Sequence, residues 1–273
     1  MKFGFILKFI FILLVFFLFS FIHFLFRLSL ESVNASVMLS YCLLAFIIIL
    51  VCGREAIKMN LRKADVIASL FHVFAFLAVL FMPFIPFIKS SHLAAVHYTA
   101  LFSLIITIFY AALFEELAYR YIIYGIFREN GRILTGLIVS SLIFSLSHAG
   151  NPDINIFGFL NIFLFGALFN YIYIVHGDLG YPIMFHFFWN ILNALFMPGY
   201  VSGLSTDKLI AYELGEEVPR VFSGGGFGIE GSALLTVLLA GYAFILVRKY
   251  GLAPLLPKGH TDPEEGSSEA SSR

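Results

Sequence analysis

Charge is scarce in this chain. Asp, Glu, Lys and Arg make up 12% of its 273 residues, about half the share of a soluble domain. The formal net charge is zero, so no basic surface for nucleic acid is implied. Cysteine is nearly absent. Cys42 and Cys52 lie in one apolar stretch, without metal-ligand spacing or a disulfide framework, and read as small hydrophobes. No internal repeat is visible, which counts against the doubled halves of many transporters. What is plentiful is apolar surface: 60% of residues are hydrophobic and 34 are Phe. That excess excludes a soluble core and predicts an all-α, polytopic transmembrane bundle.

A bilayer span takes about 20 mostly apolar residues. The hydropathy pattern predicts eight, at 9–26, 37–51, 66–88, 98–127, 133–147, 156–175, 183–196 and 229–247. The second, fifth and seventh are short. The first follows Lys2 and Lys8 and has no small-residue cleavage site after it, so it reads as a retained anchor. Lys and Arg set the orientation. With the N-terminus inside, twelve of them fall in inner segments, and only Arg27, Lys89, Lys208 and Arg220 fall outside. The expectation is N-in and C-in, with one transmembrane domain over 1–250 and a disordered cytoplasmic tail over 251–273. The longest connection, 197–228, contains Asp207, Glu213, Glu216, Glu217 and the run Gly224, Gly225, Gly226. It reads as a plain connector rather than a lid.

The fourth span contains FEELAYR, residues 114–120. A charge at mid-membrane is expensive and is a functional signal by default. Glu116 and Arg120 are four residues apart, share a helix face and can neutralise each other. Glu115 is turned about 100° away and has no such partner. One carboxylate therefore reads as structural and the other as free for chemistry. Arg128 and Gly131 mark a tight turn after this span. Measured from that turn at 1.5 Å per residue, Glu115 lies roughly 22 Å up one helix and His148 roughly 27 Å up the next. Phe144 shares the His148 face and is placed to pack beside the site. Gly180 and Pro182 predict a new helix start, on which His186 and Asn190 share a face. Each polar group alone has a bland reading, since intramembrane His and Asn commonly tie helices together. Their convergence from three helices points to chemistry.

These residues resemble the three motifs of the CAAX prenyl-protein endopeptidases, within the CPBP group of intramembrane proteases. The motifs are Glu115-Glu116-x-x-x-Arg120, Phe144-x-x-x-His148 and His186-x-x-x-Asn190. The resemblance covers the motif-bearing core, 98–196. It implies an intramembrane endopeptidase in which Glu115 activates a water with His148. It further implies that His186 and Asn190 stabilise the oxyanion, while Glu116 and Arg120 hold the motif helix. The expected partners are membrane lipid and a peptide or protein substrate, lipidated or membrane-bound. The expected location is a multi-pass membrane protein, in the plasma membrane if the source is prokaryotic. Other intramembrane protease signatures are missing: the chain has no H-E-x-x-H, no G-x-S-G and no G-x-G-D.

Two readings from other classes stand beside the protease. One is a transporter or proton relay using the same Glu, His and Arg. The other is a non-proteolytic immunity or scaffold member of the same fold. No cofactor is assigned, and zinc is the alternative, because Glu115, His148 and His186 are also the ligand types of a catalytic zinc site. The metal-free reading is favoured. Glu115 as a ligand would leave no free base, and a zinc site has no need of Asn190.

Overall fold

In the computed structural model the described residues are 62–94, 98–206 and 208–256. The expected spans at 9–26 and 37–51, and most of the polar tail, lie outside them. Six long helices run in order: α1 Lys63–Phe81, α2 Tyr98–Glu116, α3 Ile133–Ser147, α4 Ile156–His176, α5 Gly180–Phe196 and α6 Ala233–Tyr250. The segments Lys63–Phe87, Tyr98–Arg128, Ile156–His176 and Ala233–Tyr250 are long and apolar enough to cross a membrane. α3 and α5 are shorter, at 15 and 17 residues.

The helix bounds follow local chemistry. α1 ends at Phe81 rather than at 88, because Pro83 and Pro86 tighten Met82–Phe87 into a 3-10 turn. Asn155 caps α4 by accepting from the Gly158 amide at 2.9 Å, and Gly177 ends it in the left-handed region at φ 75°. Asp178 Oδ1 accepts from the Gly180 amide at 2.9 Å, which starts α5 where Gly180 and Pro182 predicted it. Ser232 caps α6 through the Leu235 amide, so this helix begins at Ala233, and the apolar residues just before it form a turn.

The surface is arranged for lipid. On α3, Leu134, Ile138, Leu142 and Leu146 are exposed at four-residue spacing, whereas Gly136, Ser140, Ser141 and Ser145 face inward. Small and polar residues inside with large apolar residues outside is the pattern of helices packed within a bilayer. Gly166 shows why the small residues are needed: a Cβ there would lie 2.9 Å from the Ser141 Cα. Asn170 on α4 donates to Ser140 Oγ, Ser141 Oγ and the Gly166 carbonyl at 3.0–3.3 Å. α5 packs against α1 and α2, and α4 against α3 and α6.

Two features depart from a plain helix bundle. First, α2 widens into a π-helix over Leu117–Tyr124 and returns to α geometry over Gly125–Arg128. Ser140 Oγ donates to the Tyr119 carbonyl within that wide segment at 2.7 Å. Secondly, the connection after α5 is folded rather than slack. Strand β2, Ile210–Leu214, pairs antiparallel with β1, Ile88–Leu93, in a two-stranded sheet that the all-α expectation did not contain. Farther on, Val218, Phe227 and Ile229 are buried in the main apolar cluster. Gly228 sits at φ 87°, and a Cβ there would collide with the Tyr200 carbonyl.

Candidate active site

The site is built around His186, in the second turn of α5. Its two ring nitrogens face the two carboxylates of α2. Nδ1 lies 2.9 Å from Glu116 Oε1, and Nε2 lies 3.7 Å from Glu115 Oε2. The carboxylate accepts, so Nδ1 carries the proton and Nε2 is the nitrogen turned toward Glu115. The ring stacks on Phe169 of α4 at 5.5 Å and meets the edge of Phe144 of α3 at 6.2 Å. Four helices thus fix one imidazole.

The two carboxylates occupy different environments. Glu116 is fully buried and Glu115 keeps 17% of its side chain exposed. Arg120 Nη1 lies 3.1 Å from the same Glu116 Oε1 that holds His186. The ion pair expected from the i,i+4 spacing is present, although it spans the first turn of the π segment. The contact is ionic rather than a hydrogen bond, since among the described residues no guanidinium nitrogen of Arg120 has a hydrogen-bond partner. Aromatic faces surround the cation instead: Phe144 at 4.5 Å, Phe169 at 5.3 Å and Tyr119 at 5.9 Å. Cation–π contacts in a desolvated setting stabilise by about 2 kcal/mol. Glu116 Oε2 is buried without a hydrogen-bond partner among the described residues.

His148 closes the C-terminal end of α3. Its Nδ1 lies 2.8 Å from the Phe144 carbonyl and 3.3 Å from Ser147 Oγ, and its ring meets Phe144 at 5.0 Å. Donation from Nδ1 to the carbonyl leaves Nε2 as the free nitrogen. Phe144 therefore touches His148, His186 and Arg120 at once, beside the site where its spacing placed it. Asn190 lies one turn above His186 on α5 and is half-buried. Among the described residues, no three His, Cys, Asp or Glu side chains are grouped to hold a metal ion. Glu115, His148 and His186 do not form such a group in this arrangement.

Several residues around the site carried no motif. Phe169 supplies the stacking face for His186. Trp189 Nε1 donates to Glu230 Oε1 at 2.7 Å, and Ser202 Oγ donates to Glu230 Oε2. The Glu230 carbonyl accepts from Asn161 Nδ2 at 2.7 Å. This network ties the connection before α6 to the α5 turn that carries Asn190. Glu230 stands second in the apolar run that began at 229, so the test of charge in an apolar setting was available for it. Near the first turn of α5, His72 Nδ1 and Tyr181 Oη are 2.6 Å apart, and Tyr181 and Tyr242 share a hydroxyl contact at 3.2 Å. These residues link α1, α5 and α6 and lie outside the site.

Residues 97–192 match the family model of the type II CAAX prenyl endopeptidases, Rce1-like. The match covers about a third of the chain and includes Glu115, Glu116, Arg120, Phe144, His148, His186 and Asn190. No curated protein and no solved structure matches the chain. The motif resemblance is thus a family match of CAAX-protease type, carried by an integral membrane protein.

Proposed function

We propose that this chain is an intramembrane endopeptidase that hydrolyses a peptide bond with a water activated by Glu115. The observation that carries the reading is the clasp on His186: Glu116 fixes one nitrogen at 2.9 Å, while the other faces Glu115 at 3.7 Å. A buried imidazole fixed at one nitrogen, with the other turned toward a more exposed carboxylate, supports Glu115 as the base and His186 as a donor to developing charge.

In this mechanism Glu115, with the free Nε2 of His148, orients a water and takes its proton. The resulting hydroxide attacks the scissile carbonyl carbon. Asn190 and His186, when protonated on Nε2, donate to the tetrahedral oxyanion. Collapse breaks the C–N bond, and the proton held by Glu115 passes to the leaving amine. Glu116 and Arg120 do not touch the reacting atoms and act by holding His186. The substrate class is a membrane-associated protein or peptide with a prenylated C-terminal Cys-a-a-X sequence, from the family match.

The test uses detergent-purified full-length protein and internally quenched peptides, with Glu115→Ala as the control. Turnover that is lost in the control supports the reading. Equal turnover in both proteins would overturn it. Ion flux in proteoliposomes without peptide cleavage would favour the transporter instead.

A further inference from the structure

Above the catalytic turn, α5 carries a second polar stripe. Asn193 is seven residues beyond His186 and three beyond Asn190, so at 100° per residue it returns to within about 20° of the His186 direction. It lies roughly 10 Å from His186 along the helix. Asn193 is fully buried, and among the described residues no group bonds to its side-chain oxygen or nitrogen. A buried amide left wholly unpaired is destabilising. It offers one acceptor and one donor group, the complement of a peptide unit.

At the end of this stripe stands Lys208. Its Nζ lies 3.4 Å from the Asn193 carbonyl. Leu209, next in the chain, donates its amide to the Leu195 carbonyl at 2.9 Å, so the segment is strapped across the last turn of α5. No described carboxylate pairs with Lys208. Burial pushes its ammonium down to about 8, with no opposing charge to restore it. An ammonium in contact only with a helix-end carbonyl is under-used, because it has three donors and favours a charged acceptor.

We propose that Lys208 and Asn193 form the subsite for the C-terminal end of the substrate. Lys208 takes the terminal carboxylate and Asn193 takes a main-chain amide between it and the scissile bond. The proposal rests on the endopeptidase reading and extends it. In a Cys-a-a-X substrate, a cut on the C-terminal side of the cysteine leaves at most three residues. Extended, they span about 10–11 Å, close to the roughly 10 Å rise from His186 to Asn193, the residue whose carbonyl Lys208 contacts. Anchoring the carboxylate at that distance sets the cleavage position by length, so the two side residues need no pockets of their own.

The experiment uses two S-prenylated Cys-a-a-X peptides that differ only at the C-terminus, one a free acid and the other a carboxamide. With wild-type protein, kcat/KM for the acid should exceed that for the amide roughly 10- to 100-fold, the range of one charge-assisted hydrogen bond. The ratio should fall to about one in Lys208→Gln and survive in Lys208→Arg. Asn193→Leu should raise KM for both peptides and leave their ratio in place. Equal rates on the two peptides in wild type, or a ratio that survives Lys208→Gln, would overturn the subsite. The wild-type comparison stands even where a variant does not fold. Binding separates this outcome from failure of the protease reading. Fluorescently labelled forms of both peptides are titrated against Glu115→Gln protein, with and without Lys208→Gln. Tighter binding of the acid that disappears with Lys208 supports the subsite even if wild type cleaves neither peptide. Equal affinities for acid and amide overturn it.

Discussion

Glu116→Gln isolates the charge of one carboxylate while keeping its size. In the fold, Glu116 Oε1 serves two partners, Arg120 at 3.1 Å and His186 Nδ1 at 2.9 Å, in a fully buried position. Glutamine still offers an oxygen to the His186 proton, so the loss falls on Arg120. Removing one partner of a buried ion pair costs about 3–5 kcal/mol, because the other charge is left uncompensated. The aromatic faces around Arg120 remain and hold the loss near the lower end, about 3 kcal/mol. By the scaling for domains of this size, that lowers Tm by roughly 6–12 °C. The chain has a single tryptophan, Trp189, which is buried and packs on Phe165 at 4.8 Å beside the site. Its emission during heating in detergent reads unfolding where the substitution acts. Glu115→Gln, at a partly exposed carboxylate, should keep the wild-type Tm and abolish turnover. Glu116→Gln combined with Arg120→Met should recover most of the lost stability, since removing both charges of a buried pair leaves neither uncompensated. A Glu116→Gln protein that melts with wild type would refute the energetic argument. A double variant less stable than the single one would refute the assignment of the loss to Arg120.

Further outcomes follow from the same geometry. Asn190→Ala should lower kcat roughly 100- to 1000-fold with little change in Tm, the range for one oxyanion donor; stopped-flow or endpoint cleavage assays check it. A strong chelator should leave turnover unchanged, and stoichiometric zinc in elemental analysis together with chelator-sensitive turnover would restore Glu115, His148 and His186 as ligands. Gly166→Ala should destabilise, because the new methyl meets the Ser141 backbone at 2.9 Å and forces α3 and α4 apart; thermal melts measure the loss. Lys208 is held near 8 against an unfolded value of 10.5, so between these the unfolded chain binds more protons and stability rises with pH. Lys208→Met should accordingly stabilise at pH 7 by roughly 1–2 kcal/mol, discounted because the group is partly exposed, and the gain should vanish near pH 11 in melts across pH.

How far the sequence could be read depended on what kind of signal each feature leaves. Glu115, Glu116 and Arg120 were legible because charges are rare in an apolar helix, and their spacing alone predicts which of them meet. The place of His186 on α5 was legible because Gly180 and Pro182 fix where its helix begins. The π segment Leu117–Tyr124 was not legible. No Gly or Pro marks it, and its wide turns coincide with tertiary contacts such as the Ser140 bond to the Tyr119 carbonyl. The β1–β2 pairing was hidden for a similar reason. Ser90, Ser91 and His92 make a short polar strand without clear alternation, and their partners Glu213, Tyr212 and Ala211 lie far away in sequence. Lys208 read as one outer-loop cation among four. Only its place over the end of α5 sets it apart.

The choice between the two adjacent carboxylates turns on access rather than on sequence. Both lie within reach of His186, and Glu116 Oε2 is free of hydrogen bonds. A lone free oxygen would by itself make Glu116 a candidate base. A general base must also meet a water, however, and Glu116 is sealed at zero exposure, with its other oxygen shared between Arg120 and His186. Protonating it would strip the counter-charge from a buried guanidinium that has no hydrogen bond elsewhere. Glu115 is more exposed, and the ion pair of Arg120 is made by Glu116, so Glu115 can take a proton and release it while the Arg120–Glu116 pair stays in place. The proposed division of labour therefore follows from which carboxylate can change its charge without unfolding its surroundings. A Glu116→Gln protein that folds well but is inactive, beside an active Glu115→Gln protein, would reverse it.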